Sequence, residues 1–410
     1  MEQERLDGRF LIYLISCALS GKKALSIWDG VNLENVLRIS KKHKITAMAY
    51  NGIDDSIIDR QDLKNRFFQE ETKALYLQGR QDIEKELLYD TFRDNSIRFM
   101  PLKGLVIKDI YPQAYFRTMS DFDILVDKEN MSKVRELLEK NDYTTEEFGL
   151  EHHDRYRKND NNNLYVEIHR DLMPGEGEMF ELYSGFEKPW REESIVRDTA
   201  NDMLYRQTPD EFYIFMLAHA AKHFFMSGFG IRLVIDVGVY RKKYKKELDF
   251  KYIYKRLGMM KILRFSQTIE KLADIWLDED ADLRSEHLFK RADISSKETE
   301  DIDAMELNII GTTVHGDVSQ FRASSAESGR ISSKKSLVII SGLRRLFPKS
   351  RYMKIDYPVL NKCGWLLPVC WVIRIFKWLF SGKRSEFSRE LDAIKQVDYD
   401  LLEFKRSMKD

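Results

Sequence analysis

The feature that most constrains the fold is a short stretch, residues 121–126, in which carboxylates alternate with apolar residues. It reads Asp-Phe-Asp-Ile-Leu-Val, and a period of two with β-branched residues is typical of a half-buried strand. Side chains two residues apart leave a strand on the same face, so Asp121 and Asp123 are expected to lie side by side. Two adjacent carboxylates repel each other unless a cation lies between them. The stretch therefore predicts either an exposed strand edge with two solvated acids or a divalent metal site.

A second stretch of the same kind, residues 164–169, supplies a third carboxylate. Its sequence is Leu-Tyr-Val-Glu-Ile-His, so Tyr165, Glu167 and His169 share one face of the expected strand. If the two strands are neighbours, three carboxylates converge on one patch. Three oxygen ligands with open positions suit Mg²⁺, and such a site can serve two-ion phosphoryl chemistry. We therefore predict two Mg²⁺ ions, with the metal ligands and catalytic residues being Asp121, Asp123 and Glu167.

A turn upstream of the acidic strand carries the signal for a phosphate. Residues 97–100 read as a short strand that runs into Pro101-Leu102-Lys103-Gly104. A glycine at a strand-to-helix turn lets backbone amides approach a phosphate, and Arg117 lies between this turn and the strand to neutralise phosphate charge. Lys-Gly alone is uninformative, and its meaning comes from its position before the acidic strand.

Taken in order, these elements resemble the bacterial "uncharacterised nucleotidyltransferase" family of the DNA polymerase beta-type nucleotidyltransferase superfamily. The common pattern of that superfamily is a glycine turn, a strand with Asp-x-Asp and an acidic residue on a later strand. The resemblance covers roughly residues 95–240. It is carried by Leu102-Lys103-Gly104, Tyr111-Pro112, Arg117, Ser120 with residues 121–126, and Val166-Glu167-Ile168-His169.

The resemblance implies an α+β fold, in which a small mixed sheet is flanked by helices, with helical N-terminal and C-terminal regions. It also implies Mg²⁺ at the three carboxylates and a nucleoside triphosphate over the glycine turn. The superfamily's usual Gly-Ser turn is Lys103-Gly104-Leu105 here, so no serine hydroxyl of that turn helps to hold a phosphate. The implied nucleotide-binding residues are Lys103, Gly104, Arg117 and Ser120.

The expected reaction is transfer of a nucleoside monophosphate from a triphosphate, ATP by default, to a hydroxyl acceptor with release of pyrophosphate. The acceptor is open between a sugar, another small molecule and a protein side chain. One alternative is a catalytically silent nucleotide-binding or regulatory protein, against which the intact carboxylates count. Another is a metal-dependent phosphohydrolase that uses His152, His153-Asp154 and His169, and a helical location of His153 would favour it.

Other histidines carry weaker signals. His219 and His223 are four residues apart, a spacing that can bind zinc, but the glutamate of an HExxH motif is missing. The helix that contains them is expected either to have a plain packing role or to lie over the sheet. In the second case the substrate or phosphate contacts are His169, Lys222 and His223. His43, in Lys-Lys-His-Lys, is expected at a solvated helix end.

Composition narrows the class of partner and compartment. The 67 basic and 67 acidic residues balance, which argues against a nucleic-acid substrate. Three scattered cysteines without CxxC spacing fit a reducing compartment, and no basic region precedes the apolar run at 10–19, so we expect a soluble cytoplasmic protein. The apolar run at 363–380 is interrupted by Arg374, Lys377 and Pro368 and is a poor membrane span. This basic, tryptophan-rich helix is expected either to contact a membrane surface or to pack internally.

The chain is expected to have five parts, since the periodicity changes along it. They are a helical N-terminal region at 1–95, a nucleotidyltransferase core at 96–205, a helical bundle packed on the core at 206–280, a polar loop at 281–335, and a helical C-terminal region at 336–410. Within the core, residues 142–148 are an expected strand, and 151–158 with 164–171 an expected hairpin.

Overall fold

The structure is a computed structural model that describes most of the first 311 residues and part of the remainder. The described residues are 2–149, 152–160, 164–173, 185–226, 228–285, 288–290, 294–311, 347, 350, 353, 357–361, 363–380 and 399–409. Of the turn expected at 159–163 between the two hairpin strands, residues 161–163 lie outside them. The chain divides into two compact units, the first made of Met1–Lys222, Gly230–Val314 and Met408–Asp410, the second of His223–Phe229 and His315–Ser407. The five-part division stays a prediction.

The N-terminal part of the first unit is helical, as the sequence predicts. Its helices are α1 (Glu2–Leu19), α2 (Leu33–Lys42), α3 (Thr46–Asn51) and α4 (Gln61–Asp94). Helix α4 buries one side, with Phe67, Ala74 and Leu88 at helical spacing. Ile83 and Leu87 of the same helix are exposed.

A five-stranded mixed sheet follows, and it confirms the α+β class. Its strands are β1 (Phe99–Pro101), β2 (Asp121–Val126), β3 (Tyr143–Glu147), β4 (His153–Lys158) and β5 (Tyr165–His169), in the order β1-β2-β5-β4-β3. Strands β2 and β5 pair in parallel, whereas the other pairs in this sheet are antiparallel. The short helix α5 (Gly104–Ile107) follows β1, and α6 (Met131–Lys140) connects β2 to β3. The strand expected at 142–148 and the hairpin of β4 with β5 are therefore confirmed.

One face of this sheet packs into a continuous core. Phe122, Ile124 and Val126 of β2 meet Val166 and Ile168 of β5, and all five are buried. The opposite face is left to the alternating polar residues, because successive side chains of a strand point to opposite sides. Burial of one face thus fixes which face carries Asp121 and Asp123. A two-stranded ribbon of β6 (Ile195–Arg197) and β7 (Tyr205–Gln207) lies beside β1 through the Phe99–Leu204 bridge.

More helices complete the first unit. They are α7 (Pro209–Met226, whose last residues belong to the second unit), α8 (Ile231–Tyr244), α9 (Phe250–Met259), α10 (Leu263–Trp276) and α11 (Ser296–Gly311). Helices α9 and α10 are separated by a short turn, in which Lys261 has a φ of 57°.

The prediction of a polar loop at 281–335 is wrong for Ser296–Gly311, which form helix α11. Ile302, Met305 and Ile309 are buried on one side of this helix. Glu306, also buried, accepts hydrogen bonds from Arg9 and from Trp276 Nε1, the latter at 3.1 Å. The acidic residues of this segment obscure the helical spacing of its apolar positions in the sequence. Residues 312–335 lie outside the described part of the chain.

The second unit has a small apolar cluster of Met353, Leu360 and Cys370. Its helices include α12 (Leu367–Phe380) and α13 (Tyr399–Ser407). Trp371 of α12 packs on the cluster, while Val369, Val372 and Phe376 are exposed. Among the described residues, no helix is both long and apolar enough to cross a membrane. Contact of α12 with a membrane surface stays a prediction.

The expectation that His43 lies at a solvated helix end is wrong. His43 follows α2 and is fully buried. Its Nδ1 accepts the backbone N–H of Ile231 at the start of α8, at 3.2 Å, and Nε2 lies 3.4 Å from the carbonyl of Ile310. Nδ1 acts as the acceptor, so Nε2 carries the proton and donates it. Burial lowers the pKa of His43 from 6.5 to about 4, and the ring is neutral in the folded protein.

This burial predicts a pH-dependent contribution to stability. Between pH 6.5 and 4 the unfolded chain binds a proton at His43 that the folded protein does not, so stability is full above pH 6.5 and is lost as the pH falls toward 4. The loss amounts to about 3 kcal/mol for the full shift. We expect His43→Asn, which keeps an acceptor for Ile231 but does not titrate, to show a shallower decline in the free energy of unfolding. Urea unfolding of both proteins at several pH values between 7 and 4 measures the difference, and parallel curves would contradict it.

Candidate functional site

The parallel pairing of β2 with β5 brings the expected carboxylates together. Asp123 lies directly opposite Glu167 in the register, and Asp121 lies opposite Tyr165. One ligand atom from each of Asp123, Glu167 and His169 lies within 4.8 Å of the other two. Asp121 stands at the start of β2 and is not a member of that close group.

Strand β4 extends the same face on the other side of β5. Arg155 lies opposite Glu167, and His153 lies opposite His169. The Arg155 guanidinium lies 4.1 Å from the centre of the Tyr165 ring. The site face therefore runs across three adjacent strands, with carboxylates at β2 and β5 and cationic or imidazole side chains at β4.

Two side chains hold Asp123, which is nearly inaccessible to solvent. Lys103 Nζ lies 2.5 Å from Asp123 Oδ1, and His169 Nε2 lies 2.9 Å from the same oxygen. An ionised carboxylate only accepts hydrogen bonds, so both nitrogens donate. Glu167 Oε2 is 3.9 Å from His169 Nε2. Lys103 is thus the cation that lies against the acidic group.

The backbone at Lys103 forms a sharp elbow between β1 and α5. Its φ of 45° and ψ of −117° are rare for a residue with a side chain, and such conformations persist where the surroundings fix them. The N–H of Leu102 donates to the carbonyl of Asp123 at 2.9 Å, which ties the elbow to β2. At Gly104 a Cβ atom would lie 2.6 Å from Met119 Sδ. A side chain at this position would therefore displace the Met119 side chain, and contact of Gly104 with a nucleotide stays a prediction.

The charges in this group perturb one another. Burial alone would raise the pKa of Asp123, but Lys103 and His169 outweigh it and hold that pKa well below its usual range. Burial alone would lower the pKa of Lys103, but Asp123 outweighs it and raises the pKa. Burial and the neighbouring Asp123 raise the pKa of Glu167 to about 7. Asp123 and Lys103 form an ion pair, and Glu167 is the carboxylate poised to exchange a proton near neutral pH.

A group of cations lies beside Asp121. Burial lowers the pKa of Lys44, and it lowers that of Arg232 to about 10, whereas Asp236 outweighs burial and raises the pKa of Arg117. The charge of Asp121 acts on all three cations and opposes the effect of burial. Arg117 is anchored by Asp236, whose Oδ1 lies 2.8 Å from Nε. Contact of Arg117 with a phosphate stays a prediction.

Arg232 has no such anchor. It donates Nη1–H to the carbonyl of Thr118 at 3.0 Å, and no ion pair of Arg232 occurs within the described part of the chain. Ser120 is exposed at the entry to β2, where its Oγ lies 3.4 Å from Asp121. Arg117 is thus paired with Asp236, whereas Arg232 has only a carbonyl as hydrogen-bond partner among the described residues, which leaves positive charge beside Asp121.

Three histidines adjoin the acidic group. The ring centres of His152, His153 and His169 lie 4.5 to 5.5 Å apart. Burial lowers the pKa of His153 to about 4, that of His152 to about 2, and that of His169 also. All three rings are therefore neutral at pH 7.

The His153-Asp154 pair does not form a joint ligand set. His153 lies on a strand and not on a helix, so Asp154 leaves β4 on the opposite face. There Asp154 is buried and accepts hydrogen bonds from Arg170 and from the N–H of Gly149. His153 therefore does not have the helical location that would favour a phosphohydrolase.

Helix α7 carries the remaining predicted contacts. Lys222 is close enough for its charge to lower the pKa of His152, which agrees with its expected position over the sheet. His219 and His223 lie one turn apart on α7. The roles predicted for Lys222 and His223 stay predictions.

Sequence reasoning missed Lys44 and Arg232 and did not foresee that His152 and His153 would join His169 beside the carboxylates. The antiparallel hairpin was predicted, and counting its register from the turn would have paired His153 with His169. Lys44 comes from the loop after α2 and Arg232 from α8, and no local pattern indicates that they approach Asp121. Their detection requires the tertiary fold.

Comparison with known protein families identifies the class. The sequence model of the family described as "Uncharacterised nucleotidyltransferase" matches residues 29–278, more than half of the chain. The chain therefore belongs to this family. The match extends on both sides of the stretch at 95–240 on which the resemblance was based. No curated protein and no solved structure matches the chain.

The ion pair of Lys103 with Asp123 generates a prediction about stability. Lys103→Met would leave Asp123 buried beside Glu167 with no cation, so we expect the free energy of unfolding to fall by about 3 kcal/mol. Millimolar Mg²⁺ or Mn²⁺ should restore part of the loss, because a divalent ion can take the place of the ammonium group. Denaturant unfolding with and without the metal salt measures both effects. An unchanged stability, or a loss that divalent ions do not reduce, would contradict the account.

Lys108 provides a matched control one turn further on. It is buried, and burial lowers its pKa to about 8, with Gln81 Oε1 3.4 Å away as its hydrogen-bond partner. Its charge is therefore a cost to the folded state at pH 7, which disappears as the pH rises through 10.5. Lys108→Met should raise stability at pH 7 by about 1–3 kcal/mol, opposite in sign to Lys103→Met.

Proposed function

We propose that this chain transfers a nucleoside monophosphate from a nucleoside triphosphate to a hydroxyl acceptor, with release of pyrophosphate. The observation that carries the proposal is the pairing of Asp123 with Glu167 on adjacent parallel strands, next to the Lys103 elbow. Membership of a nucleotidyltransferase family supports the general kind of reaction. ATP is the default donor, and the acceptor is a sugar, another small molecule or a protein side chain.

The residues of the site fit a divalent cation. Asp123 and Glu167 offer carboxylate oxygens within 4.8 Å of each other, and Lys103 Nζ already places a positive charge against Asp123. We propose Mg²⁺ as the ion, held by these two carboxylates with Asp121 at the edge of the site. When bound, such ions neutralise the charge of the phosphates and of the departing pyrophosphate.

The triphosphate would lie over the Lys103–Gly104 elbow, toward the cations beside Asp121. Arg232 is the strongest candidate contact, because its guanidinium is partly buried and has no ion-pair partner among the described residues. Lys44 carries charge to the same place from the loop after α2. Lys103 would move from Asp123 to a phosphate when a metal ion replaces it. Arg117, Gly104 and Ser120 shape this end of the site.

Glu167 is the proposed general base. Glu167 lies beside Asp123 on the site face, where a carboxylate can take up the proton of an acceptor hydroxyl. In the transfer step the acceptor oxygen forms a bond to the α-phosphorus, and the bond from that phosphorus to the pyrophosphate oxygen breaks. The proton of the acceptor hydroxyl passes to Glu167, and pyrophosphate leaves with the electron pair of the broken bond.

One observation favours a second function, nucleotide binding without transfer. Lys103 Nζ occupies the position against Asp123 that a cation would take. If Lys103 kept this position while a nucleotide was bound, the protein would act as a nucleotide sensor or regulatory module and would not transfer the nucleotide.

A transfer assay tests the proposal. Purified protein is incubated with Mg²⁺ and each labelled nucleoside triphosphate in turn, with and without cell extract as a source of acceptor. We expect pyrophosphate release and a labelled product with the unaltered protein, and a loss of at least about 100-fold with Asp123→Asn and with Glu167→Gln. Arg232→Met should raise KM for the triphosphate more than it lowers kcat.

Glu129→Gln is the matched control, because Glu129 is an exposed carboxylate just after β2. Its activity should equal that of the unaltered protein. No pyrophosphate and no product with any triphosphate would overturn the transfer reaction. A Mg²⁺-dependent thermal shift by nucleotide that disappears in Asp123→Asn, without turnover, would instead establish the binding function.

A further inference from the structure

The three histidines beside the carboxylates are not used by the proposed transfer, except that His169 orients Asp123. One ring nitrogen from each of His152, His153 and His169 lies within 4.8 Å of the others. Side chains that converge in this way from rigid strands are an arrangement found in metal centres. We propose that His152, His153 and His169 form a second metal centre, which takes a transition-metal ion of the zinc class.

The backbone holds the three residues in fixed positions. His153 and His169 are directly paired across β4 and β5. The carbonyl of His152 accepts the N–H of Arg170 at 2.9 Å, which continues the pairing by one residue. An ion would therefore bind to a prearranged set of ligands, with adjustment limited to side-chain rotation.

The nitrogen spacing fits such an ion. His153 Nδ1 and His152 Nε2 are 3.3 Å apart. A tetrahedral ion with metal–nitrogen bonds of about 2.0–2.1 Å separates its ligands by about 3.4 Å, so this pair already has the required distance. Glu167 Oε2 lies 3.8 Å from His153 Nε2, on the side of that ring opposite to the ligating Nδ1, where a carboxylate helps to orient the ring. Asp123, hydrogen-bonded to His169 at 2.9 Å, is the carboxylate that keeps that ring in place.

The charges around the three histidines favour selection of the metal ion by the type of ligand atom. Asp123 and Glu167 lie on one side of the three histidines, and the positive charges of Lys103 and Lys222 act on the same rings. Because these charges offset one another, the three histidines have little electrostatic attraction for a hard cation such as Mg²⁺. Imidazole nitrogens instead bind Zn²⁺, Co²⁺, Ni²⁺ and Cu²⁺. The chain thus offers an oxygen-rich site and a nitrogen-rich site side by side.

Titration of the full-length, metal-free protein with Co²⁺ tests this centre independently of activity. We expect one Co²⁺ per chain, with the intense visible absorption of a four- or five-coordinate nitrogen-ligated ion, and displacement by one equivalent of Zn²⁺. His152→Ala and His153→Ala should weaken binding by at least about 100-fold. His219→Ala, which removes a histidine from α7, should leave the spectrum unchanged.

Circular dichroism of each variant establishes that it folds, and His152→Gln replaces the alanine variant if that one does not. Absence of stoichiometric Co²⁺ binding, or a spectrum unaffected by both His152 and His153 substitutions, would overturn the second centre. The readout is a spectrum, so failure of nucleotidyl transfer would leave this result standing, and loss of the spectrum would leave the transfer proposal standing.

Discussion

The parallel pairing of β2 with β5 places the buried carboxylate of Asp123 and the partly buried carboxylate of Glu167 within 4.8 Å of each other, and the rest of the site depends on their repulsion. Asp123 lies opposite Glu167 in the register, and both strands are held there by the apolar residues of their other face. The fold cannot separate the two carboxylates without exposing that core. It offsets their repulsion with Lys103, which the elbow before α5 directs onto Asp123. A site that needs a cation in order to fold well is also a site suited to bind one.

The positive charge around the site is divided between two places. Lys103 is paired with Asp123, whereas Arg232 and Lys44 lie near Asp121 with less negative charge to offset them. A divalent cation and a polyanion bound together would offset the charge in both places. The cation would offset the carboxylates of the site, and the polyanion would offset Arg232. This complementarity supports a metal–triphosphate complex as the ligand more strongly than either component alone.

Sequence pattern was sufficient for the strands of the core and for the site face, and insufficient for helix α11 and for contacts between distant segments. Alternation in residues 121–126 and 164–169 predicted the strands and placed Glu167 on the same face as His169, since strand periodicity is local. That β2 pairs with β5 in parallel is a tertiary fact, which the sequence left conditional. His43 was misplaced because its charged neighbours indicate solvent, whereas its ring fills a gap between α8 and α11. Helix α11 was missed because its buried Glu306 reads as polar until Arg9 is known to face it.

The most direct test of the central claim is a crystal structure of the protein with Mn²⁺ and a non-hydrolysable nucleoside triphosphate, using the anomalous signal of manganese. The account predicts an anomalous peak between the carboxylates of Asp123 and Glu167, with Lys103 Nζ displaced from Asp123 onto a phosphate oxygen and Arg232 in contact with the triphosphate. A structure in which Lys103 stays paired with Asp123, and manganese and nucleotide lie elsewhere or do not bind, would contradict it.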